Sequence, residues 1–192
     1  VSGHSPADLG HLLNLYDATD DPWNFRTSAF ELGRLDAVAR ALPRPRYESA
    51  LELGCGNGEL ARRIASRCAA YTGLDAVPTA LAAARLAVPE ACFVEGFLPC
   101  DLPGENHDLV LLSEILYFLD RDAIRDLAAC IDRTSPQADV VTVTWGGPTG
   151  HALTGAEAVA AFADATPRAR RQIETGALYR IEIFTPLEQA AR

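Results

Sequence analysis

The sequence predicts an α/β fold: a mostly parallel, doubly wound sheet of seven strands, closed by an antiparallel hairpin and preceded by two helices. Three observations carry this. Short, almost unbroken apolar runs alternate with helical segments, as strands buried on both faces of a parallel sheet require. A glycine-rich turn follows the first such run, where strand passes into helix. The last two runs are joined by Thr175-Gly176-Ala177, too short a link for anything but a hairpin. At roughly 150 residues per domain, the 192 residues make a single Rossmann-like domain.

Residues 5–18 carry Leu9, Leu12, Leu13 and Tyr16 at helical spacing, and Phe30 to Leu42 repeats the pattern through Leu32, Leu35, Val38 and Ala39 before Pro43 ends it. Between them, Asp20-Asp21-Pro22-Trp23-Asn24-Phe25-Arg26 is a polar loop that exposes Trp23 and Arg26, costly residues to leave there without a use. Residues 1–45 thus form a helical cap with its Trp/Arg loop, and residues 46–192 the core of the same domain. In the core, strands are expected over Ala50–Leu53, Ala70–Leu74, Cys92–Val94, Asp108–Leu112 and Val140–Trp145. Helices are expected over Glu59–Arg67, Pro78–Leu86, Arg121–Ile131 and Gly155–Asp164. Arg170–Glu174 and Leu178–Phe184 form the hairpin, with Arg168, Arg170 and Arg171 as a solvated guard on its edge.

Composition removes several function classes. All 17 basic residues are arginine, so no lysine can form a Schiff base or complete a Walker phosphate loop. A net charge of −9 disfavours nucleic acid and anionic membranes as partners, and favours small or cationic ones. Cys55, Cys68, Cys92, Cys100 and Cys130 form no C-x-x-C pair and lie in apolar stretches, as buried thiols of a reduced cytoplasmic protein do. Asp101, Asp120 and Asp122 lack the spacing of a divalent-metal site, and His4, His11, His107 and His151 do not cluster, so no metal is expected. His107 reads as structural, whereas His151 lies in a loop able to reach the mouth of a site. Val1 to Gly10 has no basic region leading into an apolar one, and no window reaches 18 apolar residues, which predicts neither export nor a membrane span. Val1 itself reads as a trimmed or alternative start.

The chemistry is concentrated in Leu51-Glu52-Leu53-Gly54-Cys55-Gly56-Asn57-Gly58. A dinucleotide fingerprint, G-x-G-x-x-G, would need glycine at position 59, where this chain has Glu59. The G-x-G-x-G spacing after an acidic residue instead suits a ligand without a pyrophosphate, whose ammonium and carboxylate need a polar turn. Asp75, 21 residues after Gly54 at the end of the second strand, can accept both hydroxyls of a ribose lying across the strand tips. A nucleoside site at the first two strand ends follows.

With Asp75, this turn resembles the class I S-adenosylmethionine (SAM) methyltransferases. Further segments are similar to one family within that class, nodulation protein S (NodS): Asp21-Pro22-Trp23-Asn24-Phe25-Arg26-Thr27, Leu112-Ser113-Glu114-Ile115-Leu116-Tyr117-Phe118-Leu119, and Thr144-Trp145 followed by Ala152-Leu153-Thr154-Gly155. The resemblance implies SAM-dependent methylation of a free amine on a small molecule or amino sugar; the namesake acts on a partly deacetylated chitooligosaccharide. It implies that Gly54, Gly56 and Gly58 lie against the methionine part of SAM, with Glu52 and Trp23 nearby. Asp75 and Ala76 would sit at the ribose, Arg26 at the cofactor carboxylate, and the Ser113 carbonyl at its ammonium. Gly96-Phe97 stands where similar proteins place an Asp, so Phe97 would stack on adenine; Thr144 replaces a histidine common before the strand-ending Trp.

Methyl transfer from a sulfonium needs positioning and desolvation rather than a covalent nucleophile. A protonated amine must first lose a proton, to a carboxylate, a tyrosine or water. Glu114 is the first candidate, with Tyr117 three residues on, and Tyr117 or Trp145 could face a cationic nitrogen. Metal-free O-methylation and SAM binding without turnover stay open as alternatives. Methylation of DNA bases would need an Asn/Asp-Pro-Pro-aromatic run, which Ser113-Glu114-Ile115-Leu116 is not.

Overall fold

The computed structural model describes residues 9–175 and 178–186. Strands β1 (Tyr47–Leu53), β2 (Cys68–Asp75), β3 (Cys92–Glu95), β4 (Leu109–Ser113), β5 (Asp139–Trp145), β6 (Ala169–Thr175) and β7 (Tyr179–Thr185) form one sheet. Their spatial order is β3-β2-β1-β4-β5-β7-β6. The first five are parallel; β7 runs antiparallel to β5, and β6 to β7. The winding reverses between β1 and β4, so the loops leaving their C-terminal ends diverge and open a crevice.

Period-two alternation sorts the strand side chains onto two faces. Tyr47, Ala50, Tyr71, Leu109, Leu111, Val141, Val143, Ile181 and Ile183 face one apolar core, shared with helices α2 (Ala29–Ala41), α3 (Ala61–Ile64) and α4 (Pro78–Ala87). Leu51, Leu53, Leu74, Val110, Leu112, Val140 and Phe184 face the other, shared with α5 (Arg121–Thr134) and α6 (Gly155–Ala165). Burial on both faces explains why the strands read as continuous apolar runs. It also fixes their register, because a one-residue slip would exchange the two cores.

Helix caps match local chemistry. Ser28 accepts the Glu31 backbone N–H at 3.4 Å, Asp120 that of Ala123 at 2.8 Å, and Thr154 with Glu157 forms a reciprocal capping box. Gly155 opens α6 against the end of β5, where a Cβ would overlap the Trp145 carbonyl oxygen. The L-T-G segment after the strand-ending Trp therefore needs its glycine for close approach.

Several expectations shift. The helix expected over Glu59–Arg67 is one turn, Ala61–Ile64, followed by a 3-10 turn at Ala65–Arg67. The left-handed Gly58 (φ 80°) delays its start. β1 begins three residues early because Tyr47 is buried and pairs with Cys68. Of the helix expected at 5–18, residues 9–15 form α1 (Leu9–Leu15), while residues 5–8 lie outside the described residues, as do Gly176 and Ala177 of the hairpin turn. Of the five thiols expected to be buried only Cys55 is; Cys68 and Cys130 are half-buried, and Cys92, which opens the edge strand β3, and Cys100, in the loop after it, are exposed. The arginine guard is corrected too. Arg168 is buried, with Nε donating to Asp132 at 2.6 Å, and Arg170 pairs with the fully buried Glu182, leaving Arg171 exposed.

Candidate active site

A cavity of about 590 Å³ occupies the crevice at the C-terminal ends of the parallel strands, a volume suited to a small organic ligand. Over β1, β2 and β3 it is lined by Glu52, Gly54 and Gly56, by Asp75 and Ala76, and by Gly96 and Phe97. Trp23 closes this half from the cap, stacked on Phe25 with centroids 5.7 Å apart and edge-on to Tyr16 at 5.6 Å. Over β4 and β5 the lining changes to Ser113, Glu114, Tyr117 and Trp145.

Asp75 organises the first half. Its carboxylate accepts the backbone N–H of Gly56 at 2.8 Å and of Val77 at 3.0 Å, so the glycine turn is tied to the end of β2. Burial pushes its carboxyl above the usual range while these N–H groups pull it back. Asn57 ties the turn to the cap: its Nδ2 donates to Asp21 Oδ1 at 3.0 Å and to the Asp20 carbonyl at 3.3 Å. Those two acceptors fix the amide orientation, and Asn57 Oδ1 is left buried at the cavity without a donor among the described residues. Such an atom costs about 1–3 kcal/mol until a ligand donor meets it.

Glu52 is buried on the inner face of β1, where the Tyr71 hydroxyl donates to it at 2.6 Å. Burial pushes its carboxyl up to about 8, with the Tyr71 bond opposing. The folded protein therefore holds this proton at pH values where the unfolded chain has lost it, and stability falls as pH rises from the ordinary carboxylate range through about 8. Glu52→Gln, which keeps an acceptor for Tyr71, is expected to flatten the fall in melting temperature between pH 6 and about 9. Thermal unfolding across that range checks it; an unchanged slope refutes a proton on Glu52.

The second half is built around a buried guanidinium that sequence reasoning missed. Arg34 of α2 is 3% exposed and lies 5.7 Å from the Phe25 ring. Its Nε and Nη2 both donate to Glu31 Oε2, at 2.9 and 2.6 Å, and its Nη1 donates to Glu114 Oε1 at 3.0 Å. Glu114 Oε2 accepts the Tyr117 hydroxyl and the Trp145 backbone N–H, each at 2.8 Å. All three neighbours of Glu114 donate, which matches an ionised carboxylate, although burial pushes its pKa up. Burial likewise keeps the Tyr117 hydroxyl protonated. Glu114 and Tyr117 meet outside any α-helix: Glu114 is left-handed (φ 55°) and Tyr117 lies in a 3-10 turn, Leu116–Phe118.

Two expected residues lie outside the cavity lining. Arg26 pairs with Asp20 and, at 3.4 Å, with Asp21, on the outer side of the loop. Gly58 faces α4, where a Cβ would stand 2.9 Å from Ala84 Cα, so its role is close helix packing. His151 reaches the mouth as expected, its ring 4.4 Å from that of Phe118. His107 is structural, bonded to Ser49 Oγ at 2.8 Å and the Pro103 carbonyl at 2.9 Å. Among the described residues, no group of three His, Cys, Asp or Glu could hold a metal, and no helix is long and apolar enough to cross a membrane.

The architecture is similar to that of the N-methyltransferase NodS from Bradyrhizobium japonicum WM9, solved with S-adenosylhomocysteine (SAH). The TM-score is 0.80 at 21% identity, covering 95% of this chain and 100% of that one. The DhpI–SAH complex superposes at a TM-score of 0.74 and 15% identity, covering 94% and 96%. In sequence, the nodulation protein S of Bradyrhizobium diazoefficiens is 34% identical over 163 residues, 79% of this chain and 77% of the relative. The family model for nodulation protein S (NodS) matches residues 5–180. The chain therefore belongs to the NodS family of SAM-dependent methyltransferases.

Proposed function

We propose that this enzyme transfers the methyl group of SAM to a free amine on a small molecule or amino sugar. The observation that carries this reading is the charge of the half over β4 and β5: Glu31 and Glu114 outnumber Arg34, leaving one net negative charge beside Tyr117 and Trp145. A cationic nitrogen is attracted to such a surface, and a phenolate or alkoxide is repelled. The similar protein from Bradyrhizobium japonicum WM9 is an N-methyltransferase, which supports the same class.

The residues of the other half fit the cofactor. Asp75 would accept the ribose hydroxyls beside Ala76, Phe97 would stack on adenine beside Gly96, and Trp23 would cover the bound molecule. Gly54, Gly56 and the Ser113 carbonyl would border its amino-acid end, and the unpartnered Asn57 Oδ1 offers an acceptor to its ammonium. Arg26 stays with its two aspartates in this reading, and Arg34 with Glu31 and Glu114. The bound cofactor supplies an activated methyl group; the chain binds, orients, excludes water and accepts a proton. Glu114 holds Arg34, Tyr117 and the end of β5 in place. The five free thiols suit a cytoplasmic setting.

The test is SAH release with mass detection of the acceptor, using deacetylated chitooligosaccharides and amino sugars against their acetylated forms, and simple amines against phenols. Gain of one methylene mass on free amines alone is the expected result. Methylation of phenols instead would replace the reading with O-methylation, and SAM binding without turnover on any of these acceptors would count against it.

A further inference from the structure

Besides Asp120, which caps α5, the acceptor half presents the carboxylates of Glu31 and Glu114, and these two are not equivalent. Glu114 has both oxygens engaged: Oε1 by Arg34 Nη1, Oε2 by Tyr117 and Trp145. A carboxylate has about four lone-pair sites, so three are already filled. Glu31 differs. Both of its bonds from Arg34 end on Oε2, and no donor among the described residues meets Oε1. Its side chain is 16% exposed and lines the cavity.

The placement of Glu31 is also not explained by the helix it starts. It is the third residue of α2, the position from which a glutamate ordinarily reaches back to the backbone N–H of the capping residue. Here the Ser28 N–H donates to the Asn24 carbonyl at 2.8 Å instead, and the Glu31 carboxylate turns to Arg34. Arg34 links Glu31 Oε2 to Glu114 Oε1 and so ties the two carboxylates together behind the open oxygen. Phe30, the residue before Glu31, packs edge-on against Trp145 at 5.9 Å, so this turn of α2 is seated directly on the end of β5.

We infer that Glu31 Oε1 anchors the acceptor's ammonium and takes its proton, with Glu114 acting as the positioning residue that holds Arg34 behind it. The inference rests on the amine-methylation reading above. The step balances simply: one N–H bond of the ammonium breaks and its proton passes to Glu31. The freed nitrogen lone pair then forms the bond to the methyl carbon, the C–S bond electrons return to sulfur, and SAH and a methylated ammonium result. Glu31 loses its proton to solvent when the product leaves.

A dead-end complex with SAH separates binding from chemistry. Calorimetry on the SAH-loaded protein would compare glucosamine with N-acetylglucosamine and benzylamine with benzyl alcohol, for the wild type, Glu31→Gln and Glu31→Asp. The wild type is expected to prefer at least one amine over its neutral twin. Glu31→Gln should weaken that amine by about ten- to a hundred-fold, the span of a lost charge-assisted bond. Its SAH affinity and melting temperature should change little, because Gln still offers Arg34 an acceptor. Glu31→Asp should restore part of the binding, and it carries the test should Glu31→Gln not fold. Unchanged amine binding in Glu31→Gln would overturn the role of Glu31 while leaving amine methylation standing. A wild type that prefers neither amine would overturn both.

Discussion

Asp75→Ala is expected to weaken SAM and SAH binding by about 1–3 kcal/mol, because two ribose hydroxyls lose a charged acceptor. The structure adds a second loss. The same carboxylate holds the N–H groups of Gly56 and Val77, so its removal also loosens the turn that lines the cavity. Asp75→Asn is the milder change: it removes the charge but keeps an acceptor for one of the two backbone N–H groups. Titration calorimetry with SAH should therefore rank wild type, Asn and Ala in order of falling affinity. Equal affinities for all three would remove the ribose from Asp75.

Glu114→Gln is expected to lower the methyl-transfer rate far more than it lowers SAH affinity. The amide presents its NH2 to a donor on at least one side, so Arg34, Tyr117 or the Trp145 N–H loses its partner and the acceptor half loses its geometry. Glu114→Ala goes further. Arg34 keeps Glu31, but the Tyr117 hydroxyl and the Trp145 N–H lose their acceptor, at about 1–3 kcal/mol for each donor left unmet. Denaturant unfolding of Glu114→Ala checks the stability effect, and turnover against SAH affinity in Glu114→Gln checks the positioning role. Equal losses of rate and SAH affinity would assign Glu114 to the cofactor instead.

Much of the fold was legible because each strand is buried on both faces, so apolar runs such as Leu109–Leu112 and Val140–Val143 announced themselves without their partners. The turn at Gly54–Gly58 and Asp75 were legible for a related reason: they stand at the ends of consecutive strands, where local spacing alone brings them together. Arg34 and Glu31 were not. Three residues apart on an amphipathic helix, they read as an ordinary surface pair, and the contact that defines them joins Arg34 to Glu114 across 80 positions of sequence. The same limit explains Arg168, whose partner Asp132 lies 36 positions away. Arg26 was hard to place for the opposite reason. Its partners Asp20 and Asp21 are local, yet only the loop's folding around the Asp21 carboxylate, which accepts the Phe25 and Arg26 backbone N–H groups, brings the guanidinium to them. Glu114 was legible as a residue but not in its backbone conformation, since nothing in the sequence marks a left-handed glutamate.

In the proposed reaction the methyl group goes to a nitrogen held on the β4–β5 side of the cavity. The measurement that addresses it most directly is a single turnover with SAM carrying a carbon-13 methyl group, using an acceptor that offers both a free amine and hydroxyls, such as glucosamine or a deacetylated chitooligosaccharide. Heteronuclear NMR of the product then reports the atom to which the label is bonded. The label on nitrogen is the result expected here. A labelled O-methyl product, with the amine untouched, would contradict it.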